Sequence, residues 1–149
     1  MPIRQAARED ASRIAEIIVF NNRLNFFPIF RDESFSFGEI QVLPLAEEYL
    51  NDAERLRHTW VYDDGVVKGI VVVWGDEIVK LYVEPTFQGG GIGAALLAYA
   101  VERLGARRLW ALEKNAGALR FYARHGFLPT GARKFEEDTP EYLIELAHQ

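Results

Sequence analysis

The sequence predicts an α/β (α+β) fold built on one sheet of mixed strand direction. Three observations carry this. β-branched and aromatic stretches alternate with turn signals between residues 59 and 83, helical periodicities lie on both sides of them, and a cluster of glycines is squeezed between a strand and a helix. In chain order the elements read βα α βββ α β α ββ.

Each element has a local reason. Pro2–Arg8 opens with a short strand. Asp10 is expected as the N-cap of a helix in which Ala11, Ile14, Ile17 and Ile18 recur at helical spacing, and that helix is expected to fade near Asn21–Asn22. Phe26, Phe27, Phe30, Phe35 and Phe37 follow without a clean period, and read either as a segment pinned to the core or as one wall of an apolar pocket. Pro44 to Asp52 reads as a second helix with Pro in its first turn. Trp60-Val61-Tyr62 runs into the turn signal Asp63-Asp64-Gly65, and Val66 to Trp74 returns as a strand. Gly75-Asp76 turns again into a strand from Glu77 to Val83. Ile92 to Leu104 is helical, with Gly105 as its stop. Arg107 to Leu112 is a strand, and Asn115 caps a helix that runs through Arg124 and ends at Gly126. Phe127 to Lys134 and Tyr142 to Leu146 are antiparallel strand candidates.

Composition sets the outer limits. The 149 residues suit one domain, 1–149, with no linker or repeat to divide it. The chain has no cysteine, which excludes a disulfide scaffold, a thiolate zinc site and a cysteine nucleophile. The net charge of −5 argues against nucleic acid as a partner and suits amine-bearing ones. No stretch approaches the ~20 apolar residues of a membrane span. The amino terminus shows no hydrophobic signal region, so a cytoplasmic setting is expected. His58, His125 and His148 have no metal-ligand spacing, and no metal is expected.

The densest chemistry lies in Gln88-Gly89-Gly90-Gly91-Ile92-Gly93-Ala94. Glycines there let backbone approach a ligand, and their amides converge on a helix N-terminus that favours an anion. A phosphate or pyrophosphate is the natural ligand; a turn made only for strand–helix packing is the alternative. No Gly-Lys-Ser/Thr follows, which excludes a Walker loop. A dinucleotide-binding turn is a weaker competitor, because Gly91-Ile92-Gly93-Ala94-Ala95-Leu96 lacks the third glycine of its fingerprint.

Gln88-x-x-Gly91-x-Gly93, preceded by Leu81-Tyr82-Val83-Glu84-Pro85, resembles the acetyl-CoA-binding motif of the GNAT superfamily of N-acetyltransferases. Asn115 to Phe127 resembles that family's next motif, an asparagine that starts a helix ending in a Tyr, a Gly and a Phe. The resemblance implies a mixed, mostly antiparallel sheet flanked by about four helices, with a splayed strand pair as the cofactor cleft. It implies acetyl transfer from acetyl-CoA, as cosubstrate, to an amine of a small molecule or peptide. Gln88 and the amides from Gly89 to Gly93, with Ile92 and Ala94 in the same turn, would hold the pyrophosphate. Backbone at Leu81, Tyr82 and Val83 would pair with the pantetheine arm, and Asn115 and Phe121 would border it; a plain N-cap for Asn115 and a packing role for Phe121 are the alternatives. Members of the family often dimerise.

Such a transfer needs a neutral amine, a donor to the developing charge on the carbonyl oxygen, and a proton for the departing thiolate. The resemblance places Tyr122 as the proton donor and a backbone N–H near Val83 at the oxygen; a core aromatic with a satisfied hydroxyl is the alternative for Tyr122. Glu77, eleven residues before Gln88, matches the spacing of the glutamate base in the histone acetyltransferase branch; a solvated turn residue is its alternative. The run Glu136-Glu137-Asp138 reads as a solvated turn or as an attractor of an ammonium group. A CoA-binding sensor or scaffold without turnover stands as a second class of function.

Overall fold

In a computed structural model the described residues are 2–26, 29 and 41–148. Phe27, Phe30, Phe35 and Phe37 of the aromatic cluster lie outside them. Seven strands form one sheet: β1 (Ile3–Gln5), β2 (Thr59–Asp63), β3 (Val67–Trp74), β4 (Glu77–Val83), β5 (Arg108–Leu112), β6 (Phe127–Phe135) and β7 (Tyr142–His148). Their order is β1-β2-β3-β4-β5-β7-β6. Five α-helices are described: α1 (Ala11–Asn21), α2 (Val42–Leu50), α3 (Ala53–Arg57), α4 (Ile92–Leu104) and α5 (Ala116–Arg124). Every strand pair is antiparallel except β4–β5. A dinucleotide fold needs repeated parallel crossovers, so the sheet does not support that competitor.

The sheet is buried on both faces at its centre. β3 is Val-Lys-Gly-Ile-Val-Val-Val-Trp, a near-continuous apolar run of the kind a two-sided central strand requires. On one face Val71, Val73, Ile78, Leu109, Phe127 and Leu146 pack with Leu96, Leu97 and Ala100 of α4. On the other, Ile70 and Val61 pack with Ile14, Ile17 and Ile18 of α1 and Tyr49 of α2. Gly69 lets α4 approach β3: a Cβ there would lie 2.9 Å from Leu96 Cδ1 and 3.1 Å from the Tyr82 carbonyl.

Local structure departs from expectation at Asp10 and adds two elements. Asp10 does not cap α1 with its side chain. A 3₁₀ turn, Arg8–Asp10, precedes the helix, and Asp10 Oδ2 instead accepts from the Ala7 N–H at 2.8 Å while both its oxygens bind Arg4. The first α-helix ends at Asn21, as expected, and the chain continues from it as a π-helical turn, Asn22–Phe26. The short helix α3 is additional; Asp52 Oδ1 caps it by accepting from the Arg55 N–H at 3.0 Å.

Candidate active site

The site begins where two strands part. β4 and β5 are paired only at Glu77↔Arg108 and Ile78↔Leu109, and beyond those residues the sheet splays open. Which backbone groups face the gap follows from the β3–β4 ladder. The Glu84 N–H donates to the Lys68 carbonyl at 2.8 Å, which makes these two a hydrogen-bonded pair. In an antiparallel ladder such pairs recur at every second residue. Tyr82 and Lys80 therefore bond toward β3, while Leu81 and Val83, opposite Val71 and Gly69, turn their N–H and C=O groups away into the gap.

The gap is the mouth of a cleft of about 1190 Å³. Leu81, Tyr82, Val83, Gln88, Gly89, Gly91, Ile92, Gly93, Ala94, Asn115, Phe121 and Tyr122 all line it, so the structure brings nearly every motif residue together. Gly90 lies in the same turn and is exposed. Gly91 is the N-cap of α4 at φ 87°, a left-handed conformation that favours glycine, and the first helical bond runs from the Ala95 N–H to the Gly91 carbonyl at 3.0 Å. The amides of Ile92, Gly93 and Ala94 consequently have no partner within the helix and are free for an anion. A Cβ at Gly89 or Gly91 would meet nothing within 4 Å, so the turn stands open; at Gly93 it would touch Phe121 Cζ at 3.5 Å and Val83 Cγ2 at 3.6 Å. Phe121 thus both packs under the turn and borders the cleft.

Gln88 is occupied differently from expectation. Its Nε2 donates to the Val83 carbonyl at 3.0 Å and to Asn21 Oδ1 at 3.3 Å, tying the turn to β4. Asn115 Oδ1 accepts from the Ala118 N–H at 3.2 Å as an N-cap, while the residue also lines the cleft. Tyr122 sits edge-on to Phe121 and Phe127, with ring centroids 5.3 and 6.1 Å apart. Among the described residues no hydrogen bond engages its hydroxyl. Burial pushes the phenol above its ordinary range, so it remains protonated. Tyr82 shifts the same way, through burial first and then the neighbouring Tyr122, Tyr49 and Glu136.

Glu77 is not brought together with these groups. It stands where β4 and β5 are still paired, where Arg108 Nη1 donates to its Oε1 at 3.0 Å, and it does not line the cleft. Glu136, Glu137 and Asp138 do line it, from the β6–β7 turn. Reasoning from sequence missed two residues. Asn21, read as a helix stop, donates through Nδ2 to the carbonyls of Ile17 at 2.9 Å and Val83 at 3.0 Å. Lys80, a lone cation in an apolar strand, lines the cleft; its break in the pattern was the available signal.

Among the described residues no helix is long and apolar enough to cross a membrane. A family model for the acetyltransferase (GNAT) domain matches residues 55–129. An uncharacterized N-acetyltransferase of Mycobacterium tuberculosis (strain H37Rv) is 40% identical over 98 residues, 59% of this chain and 62% of that protein. The match therefore spans less than two thirds of that relative. Among solved structures, the PaiA N-acetyltransferase of Thermoplasma acidophilum in complex with coenzyme A superposes with a TM-score of 0.74 at 20% identity, over 98% of both chains. YncA of Salmonella typhimurium, solved with acetyl-CoA, superposes at 0.67 and 20% identity, over 99% of this chain and 92% of that one. These likenesses show the fold, and the matched segment contains the splayed strand, the glycine turn and the Asn115 helix; the chain belongs to the GNAT acetyltransferase family.

Proposed function

We propose that the protein moves an acetyl group from acetyl-CoA to an amine by direct attack within a ternary complex. The observation that carries this reading is the convergence, in one cleft, of an open strand edge at Leu81 and Val83, unpaired amides at the start of α4, and a protonated, unengaged Tyr122. The residues present fit the cosubstrate: an anion cradle at one end, a peptide-like ladder edge beside it, and a proton donor within the same walls.

Acetyl-CoA supplies the activated thioester. The amides from Gly89 to Gly93, with those of Ile92 and Ala94, neutralise the pyrophosphate at the positive end of α4. The Leu81 and Val83 N–H groups pair with the pantetheine arm and stabilise negative charge on the carbonyl oxygen. The Val83 carbonyl is already taken by Asn21 and Gln88, so those two side chains hold the strand edge in place. As the C–N bond forms and the C–S bond breaks, Tyr122 gives its proton to the sulfur. The amine proton leaves to water. Glu77, held by Arg108, takes no part in this scheme.

The acceptor is an amine, and the setting we infer is cytoplasmic, in keeping with a chain that has no cysteine. The lack of cysteine also removes an acyl-cysteine intermediate, leaving direct attack as the simplest course. Thermal unfolding tests the cofactor assignment. Acetyl-CoA at millimolar concentration is expected to raise the melting temperature, as any ligand specific to the folded state does. A rise with NAD and none with acetyl-CoA would overturn the reading.

A further inference from the structure

Lys80 differs from Lys68 and Lys114. Lys68 pairs with Asp64 at 3.0 Å and Lys114 with Glu141 at 3.0 Å. Lys80 lines the cleft half-buried, and among the described residues neither an ion pair nor a hydrogen bond reaches its ammonium. The acid whose field it feels, Glu48, is engaged by Arg55 at 3.4 Å, and Arg55 itself opposes the charge. Burial without a counter-ion holds the ammonium below the usual lysine range. A half-buried charge with no partner is costly and calls for an anion.

The strand register says which half of the cleft it serves. Lys80 lies opposite Val72 and Tyr82 opposite Ile70, two residues apart and so on one face. Tyr82 packs on that face against the cluster of Ile70, Tyr49 and α1. Leu81 and Val83 belong to the opposite face, with α4 and its glycine turn. Lys80 is therefore turned away from the anion cradle and toward the α1–α2 side. The only fully buried side-chain polar atoms without a hydrogen bond among the described residues, Asn22 Oδ1 and Tyr49 Oη, belong to the same side. Asn22 also lines the cleft. Across the cleft, the carboxylates of Glu136, Glu137 and Asp138 form no ion pair among the described residues, and the charge of Glu136 reaches Tyr82. The α1–α2 side of the lining thus offers one positive charge, Lys80, and the β6–β7 turn a negative rim; the lining's other permanent cation, Arg124, belongs to α5.

We propose that the acceptor is a small zwitterion, an amine that also carries a carboxylate, and that Lys80 is the counter-ion of that carboxylate. One ammonium matches a monoanion better than a phosphate dianion. The acidic turn draws in the amine end, and Asn22, with its unpartnered oxygen, lies in the same lining as Lys80. This inference rests on the acetyl-transfer reading above and names its substrate class.

Matched pairs of acceptors test it: phenylalanine against 2-phenylethylamine, leucine against 3-methylbutylamine, histidine against histamine. The wild type is expected to favour the carboxylate-bearing member of at least one pair by about tenfold or more in kcat/KM, the scale of a charge-assisted contact. Lys80→Gln is expected to erase that preference by raising KM for the amino acid, with the acetyl-CoA KM unchanged; Lys80→Arg is expected to retain it. Equal or better use of the plain amine in every pair by the wild type, or an undiminished preference in Lys80→Gln, would overturn the proposal. Calorimetric binding of the same pairs to the CoA-saturated protein reads the preference without turnover. Binding that favours the amino acid, lost in Lys80→Gln, upholds the site even where acetyl transfer itself is absent, an outcome that would instead defeat the proposed reaction. Equal binding of both members would overturn the site.

Discussion

Asn21 and Val83 are joined across the fold: one buried side-chain amide, donating at 3.0 Å, ties the last turn of α1 to the open edge of β4. The same nitrogen also donates to the Ile17 carbonyl at 2.9 Å, and Gln88 Nε2 reaches the same Val83 oxygen at 3.0 Å. The splay between β4 and β5 would otherwise leave the Val83 carbonyl unpaired. Removing the amide is expected to cost about 1–3 kcal/mol, the range for leaving a buried polar group poorly satisfied. In Asn21→Leu, urea unfolding should show that loss. Calorimetry should show weaker acetyl-CoA binding, because the strand edge proposed to receive it is no longer held.

Gly69 sets how closely β3 and α4 approach. A methyl group there would lie 2.9 Å from Leu96 Cδ1 and 3.1 Å from a backbone carbonyl, so the buried Leu96 side chain or the helix that carries it has to shift. Gly69→Ala is expected to destabilise the fold by about 1–3 kcal/mol, as overpacking does. Denaturant midpoints measure this. An unchanged midpoint would mean that α4 can slide without cost.

Acid should loosen the amino-terminal corner. Arg4 Nη1 and Nη2 bind Asp10 at 2.8 and 2.9 Å, and this bidentate contact holds the Asp10 carboxyl below the usual carboxylate range. The unfolded chain takes up a proton at Asp10 near its ordinary value of about 3.9, before the folded chain does. The stabilisation is thus fully present above that pH and is lost as pH falls through the lower folded value. Asp10→Asn should be less stable than the wild type at neutral pH and should lose less stability on acidification. Parallel unfolding profiles at both pH values would contradict this role.

What was legible in the sequence was whatever a local rule writes into it. The bounds of α4 are marked by Gly91 and Gly105, both left-handed at φ 87° and 72°, and β4 is bounded by the Gly75–Asp76 turn and Glu84–Pro85. Tyr122, Asn115 and the glycine turn could be named because they belong to continuous motifs. Asn21 could not, because its partner lies 62 positions away and a helix-ending asparagine has an ordinary local reading. The five residues of α3 are too short to show a period. Glu77 had the right spacing from Gln88, yet the parallel register sets it against Arg108 instead of in the cleft. Spacing along a chain is blind to which strand comes to lie beside it.

Thiol release from acetyl-CoA, followed with and without an added amine in wild type and Tyr122→Phe, decides whether the protein transfers acetyl to an amine with Tyr122 as its acid. Release is expected to depend on the amine, with a fall in kcat of about 10²-fold or more in the variant, the scale of general acid catalysis. Acetyl-CoA affinity should be little changed, because the phosphate cradle and strand edge remain intact. Release that ignores the amine, or turnover by Tyr122→Phe equal to the wild type, would contradict it.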